Sequence, residues 1–541
     1  MIDLLVVGSG PSGAQCAKAA CELGLETVMI DVGIDDPATR ERIPDAPFDA
    51  LRRTDPEQRA YFVGDALADV MGVRVGAQLT PPRQFIVREA ERLAPLASAT
   101  FQPLQSLALG GLGAGWGAGT FTYNDAELAE IGLPAAAMRR GYDEVAADIG
   151  ISGSAGDDVA AELLRCAPLQ PPLPLDDNAA ALFATYRRNR ARVRARGLDL
   201  GRAPSAILTR PIERDGLRRE PNPLHDMDFY SDRSRSVYRP RYTVEELCGR
   251  ANFRYRGDAL ALRFEQRDDG TVELWYRDLA AGAERSIRAR RLALAAGALA
   301  TTKLVLRSLG LYDRPVPLLS NPYTYLPCVN LAMLGRPAGD ARHSMAQLAG
   351  VLRRPGNDDR IALSIYSYRS LLLYKLVKEM PLPPELGLLT ARLLLSALTI
   401  VGMHHPDRRT DAKRIALVRS RTDDVLTADY ALNADERAAV AANLRATRAA
   451  LRALRCIPLG AIDPGNGSSI HYAGGLTITG DARDPLGTSA EGRLHAARSV
   501  YVADSANWRF LPAKGLTFSL MANARRVAGA AAAELRAAVT P

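Results

Sequence analysis

The run Leu4-Val-Val-Gly-Ser-Gly-Pro-Ser-Gly13 opens the chain, and a second apolar run, Thr27-Val-Met-Ile-Asp31, ends on an acid. A strand emptying into Gly8-x-Gly10-x-x-Gly13, a helix from Ala14 to Leu23, and a strand closed by a carboxylate make a dinucleotide-binding βαβ unit. Gly8 permits the tight turn, Gly10 lets the backbone approach a pyrophosphate, and Gly13 lets helix and strand pack closely. The pyrophosphate meets unpaired N–H groups and the positive end of the helix dipole. Asp31 stands where an acid accepts hydrogen bonds from a ribose. A glycine triplet alone is a weak signal; strand, helix and acid in their proper places make it specific.

The rest of the 541-residue chain is ordinary in composition, 47% hydrophobic and 24% charged, and long enough for two domains. Its net charge of +8 comes largely from dispersed arginines, with no basic block to bind nucleic acid, so no nucleic-acid partner is expected. The six cysteines lack metal-ligand or redox spacing, and no Cys/His/Asp cluster suggests zinc, so no metal is expected. A Gly-x-Ser-x-Gly hydrolase elbow is also missing. The chain starts directly on a strand, without the basic and apolar regions of a signal peptide, which makes the cytoplasm the expected location.

Further along, Gly110-Gly-Leu-Gly-Ala-Gly-Trp-Gly117 is a second glycine-rich loop. Residues 151 to 235 read as irregular structure with short helices. A helix at Thr243–Cys248 is expected to feed a β-meander through Phe253–Tyr255, Ala259–Phe264 and Val272–Tyr276, with Asp268-Asp-Gly270 as a hairpin turn. Arg291 to Gly297 reads as a buried strand followed by a helix, Ala298 to Ser308. A long helix is expected over Asn433 to Leu454, and a last strand–helix pair over Val500–Asp504 and Leu516–Leu535.

Five of these segments resemble, in order, the glucose–methanol–choline family of FAD-dependent oxidoreductases. They are Gly8 to Gly13, Gly110 to Gly117, Ala295-Ala-Gly-Ala-Leu299 with its helix, His471-Tyr-Ala-Gly-Gly475, and the stretch from Gly492-Arg-Leu-His through Val502-Ala-Asp504 to Met521-Ala-Asn-Ala. The resemblance says little about residues 35–100 and 311–460. It implies an α/β fold: a Rossmann-like FAD-binding domain from 1–150, 241–310 and 465–541, and a substrate domain of antiparallel sheet plus helices from 151–240 and 311–464. It implies that Gly8, Gly10, Pro11, Ser12, Gly13 and Asp31 bind the ADP half of FAD. Gly110, Gly111, Gly115, Trp116 and Gly117 would run beside the pyrophosphate and isoalloxazine, with Ala296 and Gly297 in the same cofactor-binding set. Asp504 would approach the ribityl–phosphate region, and Gly515, Leu516 and Thr517 would face the flavin pyrimidine ring at a helix start. Some relatives attach FAD through a histidine of the flavin loop; Gly115 occupies that region here, which implies noncovalent FAD.

Flavin oxidation of an alcohol needs a hydride acceptor, supplied by the cofactor, and a protein base. Imidazole suits the proton, and His471 matches the family's catalytic histidine among small residues that allow close approach to a flat ring. Relatives place a second His or Asn before a Pro, where this chain has Gly515-Leu516; Lys514, Asn507 or a group from elsewhere would then complete the site. Lys514 is read as a surface or FAD-phosphate contact. His404 and His405 are read as strand-end structural residues, with a place in the substrate cavity as the alternative. His495 is read as structural, and His225 and His343 have no supporting context.

The expected reaction is oxidation of an alcohol to a carbonyl, with a carbohydrate, glycoside or lipid-linked sugar as substrate. Oxygen, a quinone or a protein would accept the electrons. The rivals are a flavin-dependent isomerase or epimerase, and a noncatalytic FAD-binding partner of a membrane assembly. The last comes from the apolar runs Ser370–Lys378 and Leu386–Leu395, read as a buried helical pair or as a peripheral membrane contact over residues 369–395. Each run is shorter than the ~20 residues that span a bilayer.

Overall fold

The computed structural model describes residues 1–64, 79–339, 341–367, 380–420 and 423–537. Strand β1 (Ile2–Val7) presents apolar side chains to both faces, and Leu4 to Val7 are all buried. It therefore sits inside a sheet with both faces covered, as parallel strands require. β2 (Thr27–Ile30) pairs parallel on one side and β3 (Phe253–Arg256) pairs parallel beyond it. On the other side lies β6 (Ala283–Leu294), also parallel to β1. The first half of β6 pairs antiparallel with β5 (Val272–Asp278), which pairs with β4 (Ala259–Gln266); its second half carries the parallel strand Val500–Val502. The meander expected from sequence thus loses one of its three strands: β3 leaves it and extends the parallel sheet from its edge.

Helices α1 (Pro11–Glu22) and α5 (Thr517–Ala537) cover one face of this sheet. Small side chains let them approach: Ala14 and Ala17 of α1 share a core with Ala524, Ala528 and Ala531 of α5. Helix α2 (Ala298–Ser308) packs Leu304 and Val305 against Leu5, Val7, Leu292 and Leu294 on the opposite face. The chain has an α/β, Rossmann-like fold.

Two further sheets complete the site. Tyr472–Gly474, Val316–Ser320, Lys413–Val418, Val425–Tyr430 and the two-residue strand Leu96–Ala97 form one, in that order. The other is six-stranded: Cys456–Pro458, β7 (Tyr323–Asn330), β9 (Leu398–His404), β8 (Asn357–Ser367), Leu348–Arg354 and Leu198–Arg202, antiparallel throughout. The region read as irregular supplies its edge strand, Leu198–Arg202, and the helix Asp177–Arg188. The polar Asp199 and Arg202 within that strand hide its β signal, since each is held by an ion pair. Helix α4 (Ala434–Ala453) starts on a capping box between Asn433 and Glu436, close to the expected span.

The first apolar run, Ser370–Lys378, lies outside the described residues. The second forms helix α3 (Pro384–Leu394), and Leu386 and Leu389 on it are 53% and 55% exposed. Leu394 at its end packs instead against Val329, Met333 and Leu398. Among the described residues, no helix is long and apolar enough to cross a membrane.

A methyl group added at Gly13 would stand 1.9 Å from the Gly8 carbonyl oxygen, whereas one added at Gly529, inside α5, meets no heavy atom within 4 Å. Gly13→Ala is expected to destabilise the fold by about 1–3 kcal/mol. Gly529→Ala is expected to stabilise it by about 0.5–1 kcal/mol. Urea unfolding of the two variants checks the opposite signs; a stable Gly13→Ala protein would refute the close-packing account.

Candidate active site

A cavity of about 490 Å³ runs from Asp31 past the Gly8–Ser12 turn to His471 and the face of the six-stranded sheet. Every residue read from sequence as cofactor-binding or as the base lines it except Gly13 and Gly110. Those two act one step back. Gly13 packs on Gly8, and the Gly110 N–H donates to Ser9 Oγ at 2.8 Å, joining the two glycine loops.

One end of the cavity fits an anionic dinucleotide. A Cβ built on Gly10 finds its nearest neighbour, the Gly110 oxygen, only at 4.0 Å. Gly10 thus keeps open a space where a phosphate can touch backbone. Helix α1 starts there with no side-chain cap, and α2 starts at Gly297 with none either. The residues before α5, Gly515 and Leu516, line the same cavity with Thr517. Three helix N-termini therefore turn their positive ends and unpaired N–H groups toward one space, an arrangement suited to negative charge. Asp31 is held by the Ser9 hydroxyl, and burial pushes its carboxyl up to about 7. Exchanging that buried hydrogen bond for ribose hydroxyls suits its position. Asp504 accepts from the Gly297 N–H at 2.9 Å and from Thr301 Oγ1 at 2.6 Å, fixing the turn into α2. Burial raises its carboxyl to about 6. Trp116 is clamped at both ends: its indole N–H donates to the Tyr238 carbonyl at 2.7 Å, and Arg239 donates to its own carbonyl at 2.8 Å. The Ser236–Pro240 segment thereby holds the second glycine loop in place.

The other end holds His471. Ile470, just before it, has φ +62°, a left-handed conformation costly for a β-branched residue, and the kink turns the histidine into the cavity. The following strand pairs with Val316–Ser320, with Tyr472 opposite Ser320. That register brings Asn321 across from His471, and Asn321 Oδ1 lies 3.1 Å from His471 Nδ1. The amide's orientation follows from its other partners. Asn321 Nδ2 donates to the carbonyls of His405 at 2.7 Å, Pro512 at 3.0 Å and Leu511 at 3.4 Å, groups that only accept. Its oxygen is then left for His471, whose Nδ1 must carry the proton, leaving a lone pair on Nε2. Burial pushes the His471 imidazole down to about 3, so the ring is neutral.

His404 stacks on His471, with ring centroids 4.3 Å apart and planes 18° from parallel. The strand-end structural reading of His404 is therefore corrected: it lines the cavity, with its buried Nδ1 unpartnered. Burial drives its imidazole well below the ordinary range, with the neighbouring His471 and His405 adding to the effect. His405 is structural as read, bonded through its two ring nitrogens to Thr324 and Asn443. Lys514 is neither a surface nor a cavity group. It is fully buried, and its ammonium meets Glu127 at 2.7 Å. Asn507 is buried away from the cavity and donates to Thr488 at 3.0 Å. His343, which has no supporting context in the sequence, lines the cavity with its Nδ1 unpartnered, and Asp226 and Arg342 pair at 2.7 Å. His495 bonds the Asp481 carbonyl at 3.0 Å.

This arrangement has counterparts among solved structures. Formate oxidase of Aspergillus oryzae, in a structure of an R554K variant, matches with a TM-score of 0.61 and 12% identity over 99% of both chains. An FAD-dependent oxidoreductase from Chaetomium thermophilum matches with a TM-score of 0.57 and 14% identity, over 99% of this chain and 100% of that one. The chain shares their fold. No protein-family model and no curated protein matches the sequence. Identities this low carry the architecture and leave the chemistry to the residues of the site.

In protein labelled with ¹⁵N-histidine, the His471 signal is expected to stay neutral and Nδ1-protonated from about pH 8 to about pH 5. Its folded pKa lies below the unfolded value, so protonation belongs to still lower pH. In Asn321→Ala the ring is expected to lose its single tautomer. A wild-type ring titrating above about pH 5.5, or an unchanged tautomer in the variant, would refute the Asn321 assignment.

Proposed function

We propose that the protein binds FAD noncovalently and oxidises an alcohol to a carbonyl, with His471 accepting the hydroxyl proton. The observation that carries this reading is one cavity joining an anion-binding Gly8–Ser12 turn to a neutral imidazole whose Nε2 lone pair is set free by Asn321. The fold shared with FAD-dependent oxidoreductases supports FAD over other dinucleotides. Gly8, Gly10, Pro11, Ser12 and Asp31 would hold its adenosine diphosphate half. Residues Gly111, Gly115, Trp116, Gly117, Ala296, Gly297, Asp504, Gly515, Leu516 and Thr517 would border the remainder. The glycine loop from Gly110 to Gly119 offers no side-chain nucleophile to bond a flavin, which supports noncovalent binding.

When bound, the flavin supplies the hydride acceptor. The protein's share is to orient the alcohol and remove its proton. An alcohol O–H becomes strongly acidic as its carbon gives up a hydride, so even an imidazole held at low pKa can take the proton at that moment. Its neutral state beforehand is therefore the useful property. Once cationic, the His471 ring keeps its Nδ1–H bond to Asn321 Oδ1, so the same contact serves both protonation states. Helix N-termini at α1, α2 and α5 favour negative charge that builds on the cofactor side.

Purified protein incubated with FAD is expected to show a flavin spectrum that bleaches under anaerobic addition of a substrate alcohol. His471→Ala should keep the spectrum and slow bleaching by about 10²–10⁴-fold. Admitting air then separates an oxidase from a dehydrogenase. Unimpaired bleaching in His471→Ala would refute its role as base, and failure to bind flavin would refute the whole reading. Gly10→Ala adds a Cβ that meets no atom nearer than the Gly110 oxygen at 4.0 Å. It is expected to leave the fold intact and weaken FAD binding at least about tenfold, measured by flavin fluorescence titration.

A further inference from the structure

The six-stranded sheet presents a particular face to the cavity. Alternate residues of its three central strands point there: Tyr323, Tyr325 and Pro327 of β7, Ile400 and His404 of β9, and Ser364 and Tyr366 of β8. Their in-between neighbours, such as Leu326, Val401, Met403 and Ile365, pack into the core behind. Register fixes them as a grid, with Tyr323 beside His404, Tyr325 beside Gly402 and Ser364, and Pro327 beside Ile400 and Tyr366. Gly402 is the hole in the grid. A Cβ there would stand 2.0 Å from the Tyr323 hydroxyl, so its absence lets that ring lie flat across the sheet. The rings of Tyr325, Tyr323, His404 and His471 then follow one another at centroid spacings of 4.6, 4.4 and 4.3 Å.

None of these wall residues is charged, and rings dominate the surface: Tyr323 and Tyr325 meet edge to face, and the Tyr323 hydroxyl lies over Gly402. The nearby Asp226 and Arg342 neutralise one another. What the wall leaves without a partner is His404, whose Nδ1 is buried with no hydrogen bond, stacked against the His471 ring. We infer that the substrate is a neutral alcohol carried on an aromatic or alicyclic group. Its ring lies on the Tyr323, Tyr325, Ile400 and Tyr366 surface, and its single oxygen is received between His471 Nε2 and the His404 ring. His404 takes the place at the substrate oxygen that Gly515, without a side chain, leaves empty. A polyhydroxylated substrate would bury more hydroxyls against ring faces, Pro327 and Ile400 than the few hydroxyls at the edges of this wall can replace water for, which disfavours it. A charged substrate would find no free counter-charge on this wall.

The inference rests on the flavin-dependent alcohol oxidation proposed above, and its test reads binding as well as turnover. FAD-loaded protein is titrated with benzyl alcohol and, separately, with methyl α-D-glucopyranoside, followed by saturation-transfer NMR and flavin absorbance. Benzyl alcohol is expected to bind at least about tenfold more tightly. His404→Phe, which keeps a stacked ring but no ring nitrogen, and Ile400→Asn, which makes the wall polar, should each weaken benzyl alcohol at least about tenfold. Both should keep the wild-type flavin spectrum and circular dichroism; if one misfolds, the other decides. His471→Ala should still bind benzyl alcohol while failing to bleach with it. Tighter binding of the glucoside, no binding of benzyl alcohol, or unchanged affinity in the folded variants would overturn the inference. Flavin bound without benzyl alcohol overturns this inference alone, whereas no flavin bound overturns the reading beneath it as well.

Discussion

The amide of Asn321 is the contact on which the proposed chemistry depends. It sits at the junction of two sheets, directly after the strand Val316–Ser320 and before β7. Its nitrogen ties down carbonyls from His405, at the end of β9, and from Leu511 and Pro512, on the approach to α5. Its oxygen reaches His471. One buried side chain thus ties together three separate segments and chooses the tautomer of the His471 ring. Asymmetry of the amide is what makes this work: a group with donors on one side and an acceptor on the other can satisfy carbonyls and an imidazole N–H at once.

Around that junction, electrostatics and packing divide the cavity in two. Toward the parallel sheet, open helix N-termini and backbone-exposing glycines favour an anionic ligand. Toward the antiparallel sheet, ring faces dominate, and burial keeps His404, His405 and His471 neutral. Two buried lysines serve structure. Lys514 is buried on Glu127, and Lys18 is buried between Asp148 and Glu246. These pairs tie α1 to the helices Ala135–Ile149 and Pro240–Leu247, and the segment before α5 to the helix Asp125–Ile131; removing one partner would leave an uncompensated buried charge.

Local patterns made the cofactor end legible. Gly8, Gly10, Gly13 and Asp31 act within one strand–turn–helix–strand unit, so their spacing in sequence is their geometry in space. Helix α2 and the strand before it were legible for the same reason, the apolar run being long and the Gly297 turn sharp. The substrate end was not. Leu198–Arg202 hides its β character because ion pairs satisfy its polar residues, and β3 joins the parallel sheet through pairing that no local pattern announces. His404 looked like any histidine closing an apolar strand, since its partners lie on other strands.

Sequence by itself determined the α/β class, the glycine-rich strand-to-helix turn and the position of His471 in a loop of small residues. Tertiary structure alone decided which groups surround that histidine. Asn321 reaches it across 150 residues of chain, and His404 reaches it only because β9 ends where the Ile470 kink begins. The reason is physical: backbone turns are encoded by the φ, ψ freedom of the residues that make them, whereas side-chain hydrogen bonds and ring stacking between distant strands depend on sheet register, which is set by the packing of the whole core.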